Sequence, residues 1–268
     1  MEKVCKPVPD EEVLKYHGTK EKPDIKIFVS SETGHMNESL NNPLYIPTEY
    51  STSEDISSHA DGFNSNSGDN ILESISHLED LAVQYWAWKN IKSDYYGFCT
   101  SSKYFTFSNQ SFKAKQSTDE FYFDLYTTIA LNNCQEKFCM TEGHARTVLN
   151  TQDIIAIAPS STINFQCCNV NTYLLKDIFH FDNDIISQLL KVIQHKYPKF
   201  LASANKYLLG NKVYLHNQWL ASKKYFYTFE EFQFGVLQGL AKRLDFSHAG
   251  VERKRLFSVL GSHLWGIF

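Results

Sequence analysis

The sequence predicts an α/β domain with a mostly parallel central sheet flanked by helices, and three observations carry that prediction. A helical apolar stripe at residues 70–91 runs directly into the strand-like YYGFC and then a polar turn; a second buried-strand run, Ile154–Ala158, is closed by Pro159; and amphipathic helical patterns follow it. With 268 residues, 43% hydrophobic and 15% aromatic, the chain can bury the core of one large domain, which excludes wholesale disorder.

Residues 1–23 carry Pro, Lys and Glu without periodicity and read as a flexible lead-in, so the domain spans 24–268. Ile25, Ile27, Phe28 and Val29 suit a buried strand. Residues 48–69 hold six serines and two glycines and predict a long surface loop. From Asn70 to Ile91 the apolar positions Ile71, Ile75, Leu78, Ala82, Tyr85 and Trp86 recur at helical spacing. Asp184–His195 is amphipathic and stopped by Tyr197-Pro198, Lys212–Ala221 reads as a strand pair or one bent strand, and Thr228-Phe-Glu-Glu231 has the pattern of a capping box opening a helix to Arg243. Arg253–Phe268 predicts a closing helix.

Charge narrows the partners. Residues 1–70 hold 6 basic and 13 acidic side chains, the remainder 20 and 17, and the whole chain has a net charge of −4. That balance argues against a protein that coats nucleic acid. No apolar run reaches membrane-spanning length and the start lacks a secretory apolar region, which predicts a cytoplasmic chain; peripheral contact with the inner membrane face stays open. Six cysteines without a knuckle spacing predict reduced thiols rather than disulfides or zinc. Neither a GxGxxG nor a GxxxxGK[ST] loop occurs.

A set of ordered motifs adds a family resemblance: GDNI at 68–71, YWAWKN at 85–90, DYYGFC at 94–99 with KYF at 103–105, QDIIAIAP at 152–159 and HNQW at 216–219. With these the chain resembles the capsular polysaccharide biosynthesis glycosyltransferases, a group long carried as a domain of unknown function. The resemblance implies a GT-A-like single domain that transfers a galactose-like hexosyl unit from a UDP-sugar to a surface glycan or a lipid-linked glycan, with inversion. Three motifs depart from the family's: Thr100-Ser101-Ser102-Lys103 stands for His-Tyr-Arg-Arg, Asp80 for Glu, and Ser262-His263-Leu264 for Glu-Arg-Leu. The departures favour, as the alternative, a degenerate non-catalytic module that binds nucleotide-sugar or glycan in a polysaccharide assembly complex.

Within that frame the strand ends should hold the nucleotide diphosphate. No acid follows Cys99 where an Asp-x-Asp would bind a divalent cation, so Ser101, Ser102 and Lys103 are the candidate phosphate ligands and catalysis is expected to need neither metal nor other cofactor. A solvated surface lysine is the competing reading of Lys103. Asp69, Asn70, Asp80, Tyr85 and Lys89 are candidate donor ligands, although Asp69 also fits a plain helix cap and Asp80 a loop cap. His216 has the intrinsic pKa of a general base and Asn217 can bind a sugar or the donor. Trp219 and His263 are expected on the acceptor side. The basic set Lys242, Arg243, Arg253, Lys254 and Arg255 reads as an anion-steering patch or a solvated helix face.

Overall fold

A computed structural model describes residues 11–33, 42–51, 63–71, 75, 78–108, 115–116, 125–126, 134–176, 182–244 and 255–268. Its framework is β1 (Ile25–Glu32), β2 (Tyr45–Tyr50), β3 (Phe63–Asn64), α1 (Asp80–Asn90) and β4 (Tyr95–Thr100). Two-residue strands β5 (Lys115–Gln116) and β6 (Leu125–Tyr126) pair with each other, and α2 (Cys134–Lys137) and α3 (Glu142–Leu149) lead to β7 (Ile154–Ala156) and β8 (Ser160–Ser161). The second half comprises α4 (Val170–Lys176), α5 (Asn183–Lys196), α6 (Leu201–Leu209), β9 (Lys212–Val213), β10 (Trp219–Ser222), α7 (Lys223–Ala241) and α8 (Leu256–Ile267).

The central sheet has the order β3-β2-β1-β4-β10-β7. β1, β2, β3 and β4 are mutually parallel, β10 runs antiparallel to both β4 and β7, and the sheet is therefore mostly parallel. Burial on both faces explains why the consecutive residues Ile27, Phe28 and Val29 of β1 are all apolar. Phe28, Ile46, Tyr96, Phe98 and Trp219 face α1, α5, α7 and α8, while Ile25, Ile27, Val29, Cys99 and Leu220 face Phe105, Met140 and α3. Gly97 sits between β1 and β10 because a Cβ there would lie 2.9 Å from Ile27 and 3.2 Å from Leu220.

Several predicted boundaries move. The helix expected over 70–91 begins at Asp80; Ile71, Ile75 and Leu78 are buried as the periodicity requires, but Glu79 has φ 52° and ψ −124°, which breaks the helical path before Asp80. Thr48–Tyr50 and Phe63–Asn64 pair as strands, so the predicted loop is shorter at both ends. Part of the stretch read as a lead-in is ordered against the domain: Glu11–Leu14 forms a 3₁₀ turn and Tyr16 donates to Asp94. Helix α7 opens at Lys223, directly after β10, with Lys223 N donating to the Asp94 carbonyl at 2.7 Å. Thr228 is thus inside the helix, where its hydroxyl donates to the Lys224 carbonyl at 2.8 Å instead of capping. Ile154–Ala156 is a half-buried edge strand, not a fully buried one. Among the described residues, no helix is long and apolar enough to cross a membrane.

Candidate active site

The carboxyl ends of β1, β2 and β4 and the segment entering β10 surround one cavity of about 980 Å³, near the upper end for small-molecule sites. This is the crevice an open α/β sheet offers to a ligand, because the strands stop there and their connecting segments diverge. Asp153 leads into β7 at the opposite end of the strands, where its carbonyl accepts from Ser222 N, and so lies away from the cavity.

One wall is cationic. After β4 the chain folds back in a tight turn, Thr100 N to the Lys103 carbonyl at 3.3 Å and Lys103 N to the Thr100 carbonyl at 3.0 Å. The turn presents Ser101, Ser102 and Lys103 to the cavity and is held from the residue before β10, Gln218, whose Nε2 donates to the Lys103 carbonyl at 3.4 Å. Lys103 Nζ lies 3.0 Å from His216 Nε2. An ammonium has no acceptor, so the imidazole supplies its lone pair and His216 is neutral in this pairing.

A second group of lining residues is acidic. Asp80 opens α1, and its Oδ1 accepts from Ser258 Oγ at 3.2 Å and Asn217 Nδ2 at 3.4 Å. Burial, then the neighbouring Glu79 carboxylate, pushes the Asp80 carboxyl up to about 7 despite those two donors. Glu79 accepts from Arg255 Nε and from Ser258 Oγ, a pairing that anchors its strained backbone. Tyr50 at the end of β2 has its phenol pushed upward by burial and by Asp80, Glu79 and Glu32, so it remains a hydroxyl donor. Asn217 is fixed twice, by its own Nδ2 donating to the Ser258 carbonyl at 3.1 Å and by Gln84 Nε2 donating to the Asn217 carbonyl at 3.4 Å. Gln84 is in turn oriented by Gln233 at 3.0 Å, and Gln233 by the buried Glu230 at 3.3 Å.

Seven of the residues picked from sequence therefore meet here: Asp80, Ser101, Ser102, Lys103, His216, Asn217 and His263. His263 is 2% exposed, Nδ1 lies 2.9 Å from the Tyr207 hydroxyl, and burial lowers its pKa to about 4, so it contributes as a neutral group. The others go elsewhere. Trp219 is 1% exposed and stacks on Trp265 at 4.8 Å, leaving no surface for an acceptor. Lys89 lies nine residues beyond Asp80, about 13 Å along the helix axis, and its ammonium sits 3.3 Å from the Trp88 ring centre. At that far end Tyr85 donates to Asp69 at 3.4 Å, Asn90 bonds both the N–H and the carbonyl of Asp69, and Asn70 donates to the Asn66 carbonyl. These four close the end of α1 rather than the cavity.

The sequence reading missed Ser30, Ser31 and Glu32, Tyr50, Glu79, Tyr173, Lys176 and Ser258, which also line the cavity. The rule that ligands meet strand ends could have found Ser30–Glu32. Arg255 was placed with a basic patch, yet it turns inward to Glu79, whereas Lys242 and Arg243 follow α7 away from the cavity; Arg253 and Lys254 lie outside the described residues.

Fold and site together define an α/β domain with a cavity at its parallel strand ends. The domain of unknown function DUF4422 matches residues 26–268, and the chain belongs to that family. Among solved structures it is similar to the apo form of WbbM, described as a bifunctional glycosyltransferase, with a TM-score of 0.78 and 19% identity. The match covers 91% of this chain and 42% of that one, so the fold is shared while this chain spans less than half of that protein's length. No curated protein sequence matches.

Proposed function

We propose that the protein is a glycosyltransferase that moves a hexosyl unit, galactose-like, from a UDP-sugar to a surface-glycan or lipid-linked glycan acceptor, with inversion and without a metal. The observation that carries this reading is the cavity at the strand ends, lined both by Lys103 with the Ser101 and Ser102 hydroxyls and by Asp80, the two groups linked through the neighbouring residues His216 and Asn217. The cationic side suits a diphosphate, whose leaving charge Lys103 neutralises as the glycosidic bond breaks. The acidic group supplies a base. With His216 Nε2 engaged by Lys103, Asp80 is the better candidate than His216: its carboxyl titrates near 7, where a base is both deprotonated and able to take the acceptor hydroxyl's proton. The likeness to a glycosyltransferase fold supports the same class.

Millimolar UDP should raise the melting temperature, since a ligand at about 100 times its Kd stabilises the native state by about 2.7 kcal/mol. No shift with UDP, and a shift with another nucleotide, overturns the donor assignment. EDTA should leave transfer intact; a loss restored by Mn²⁺ would overturn the metal-independent reading.

A further inference from the structure

Five large apolar side chains are notably exposed among the described residues, and four of them fall in two neighbouring stretches: Ile157, Ile163 and Leu175 in one, Leu209 in the other. Ile163 is 67% and Leu209 74% exposed. Their elements are joined. β8 pairs with β9, Thr162 N donates to the Asn211 carbonyl at 3.0 Å, Val170 N donates to the Gly210 carbonyl at 2.9 Å, and α4 packs on α6. Ile163 and Leu209 therefore project from adjacent turns. Residues 154–176 and 197–218 also hold four lysines and no Asp or Glu, in a chain whose net charge is −4; the acids resume at Asp153 on one side and Asp177 on the other. Lys176, Lys206 and Lys212 are exposed, and Phe165, Tyr173 and Lys176 of the same region form part of the cavity wall.

We propose that this region, the 3₁₀ turn at Thr162–Phe165 with α4, the end of α6 and β9, docks on an anionic lipid bilayer. Isolated aliphatic tips on separate turns make a poor protein interface, which needs a contiguous, complementary core. A bilayer needs no such fit: its acyl boundary accepts each tip singly while lysines reach anionic headgroups. Docking in this orientation sets the cavity's Phe165–Lys176 side next to the membrane, where an acceptor carried on a lipid would arrive. That last step rests on the transferase reading; the docking itself does not.

The test is co-sedimentation of the purified chain with vesicles of phosphatidylcholine containing phosphatidylglycerol, beside vesicles of phosphatidylcholine alone. Wild type should pellet with the anionic vesicles, less so as salt rises. The pair Lys206→Glu and Lys212→Glu should weaken binding by about 25-fold or more, at about fivefold per lysine. The pair Ile163→Ser and Leu209→Ser should weaken it by about tenfold or more. All four positions are exposed and outside the cavity wall, so melting temperature and its shift with UDP should stay as in wild type; a lost UDP shift in wild type itself would count against the donor reading alone. The docking proposal is overturned if wild type binds neither vesicle, if the variants bind as wild type does, or if light scattering shows a dimer that Ile163→Ser and Leu209→Ser dissociate.

Discussion

Lys103 Nζ and His216 Nε2 stand 3.0 Å apart, brought together because the turn leaving β4 and the segment entering β10 meet at the same end of two antiparallel neighbours. The pairing orients the ammonium in advance and occupies the imidazole lone pair that a base would need. It couples the two residues as one cavity-facing unit.

Lys103→Ala should accordingly lower kcat by roughly 10²-fold, the scale of one preorganised electrostatic contact, with a smaller rise in the donor KM. Lys103→Arg should retain most activity, since a guanidinium also grips phosphate oxygens. Steady-state kinetics beside circular dichroism checks both. Unchanged kinetics in a folded Lys103→Ala protein would move the diphosphate site elsewhere in the cavity.

Asp80→Asn separates stability from activity. A carboxyl raised from 3.8 to about 7 binds its proton more tightly in the folded state, so its contribution to stability is full below pH 3.8 and is lost as pH rises toward 7. Asn carries no charge to bury and keeps an oxygen for Ser258 and Asn217. At pH 8 the variant should melt higher by roughly 2–4 °C, the shift for about 1 kcal/mol in a domain of this size. The gain should vanish near pH 4, and transfer should fall at every pH. A variant that transfers normally at pH 8 sinks the assignment of Asp80 as the base.

His263 works with the opposite sign. Burial lowers its pKa from 6.5 to about 4, so the unfolded chain takes up the proton first and stability is lost as pH falls between those values. The loss is on the order of 3 kcal/mol. His263→Asn, which can still meet the Tyr207 hydroxyl, should flatten the melting temperature across that window when scanned calorimetrically. An equally steep acid decline in the variant would place the sensitive group elsewhere.

The sequence by itself determined the α/β class, the buried strands at Ile25 and Tyr95, the helix ending at Asn90 and the fact that Lys103 follows a strand, because each of these is written in local periodicity and strand-end chemistry. It also marked seven residues of the cavity. Which marked residues meet depended on direction along an element. YWAWKN is one motif, yet its Lys89 and the upstream Asp80 occupy opposite ends of the same helix, and only the Asp80 end reaches the strand tips. Trp219 adjoins cavity residues in sequence, but strand alternation turns its ring into the core beside Trp265. Arg255 and Ser258 come to Glu79 and Asp80 across more than 170 positions of chain, and the break at Glu79 has no local signal, since a positive φ at a glutamate is imposed by the contacts that α8 brings to it. Periodicity encodes what a residue buries; which distant charge it then faces is decided by how the helices pack over the sheet.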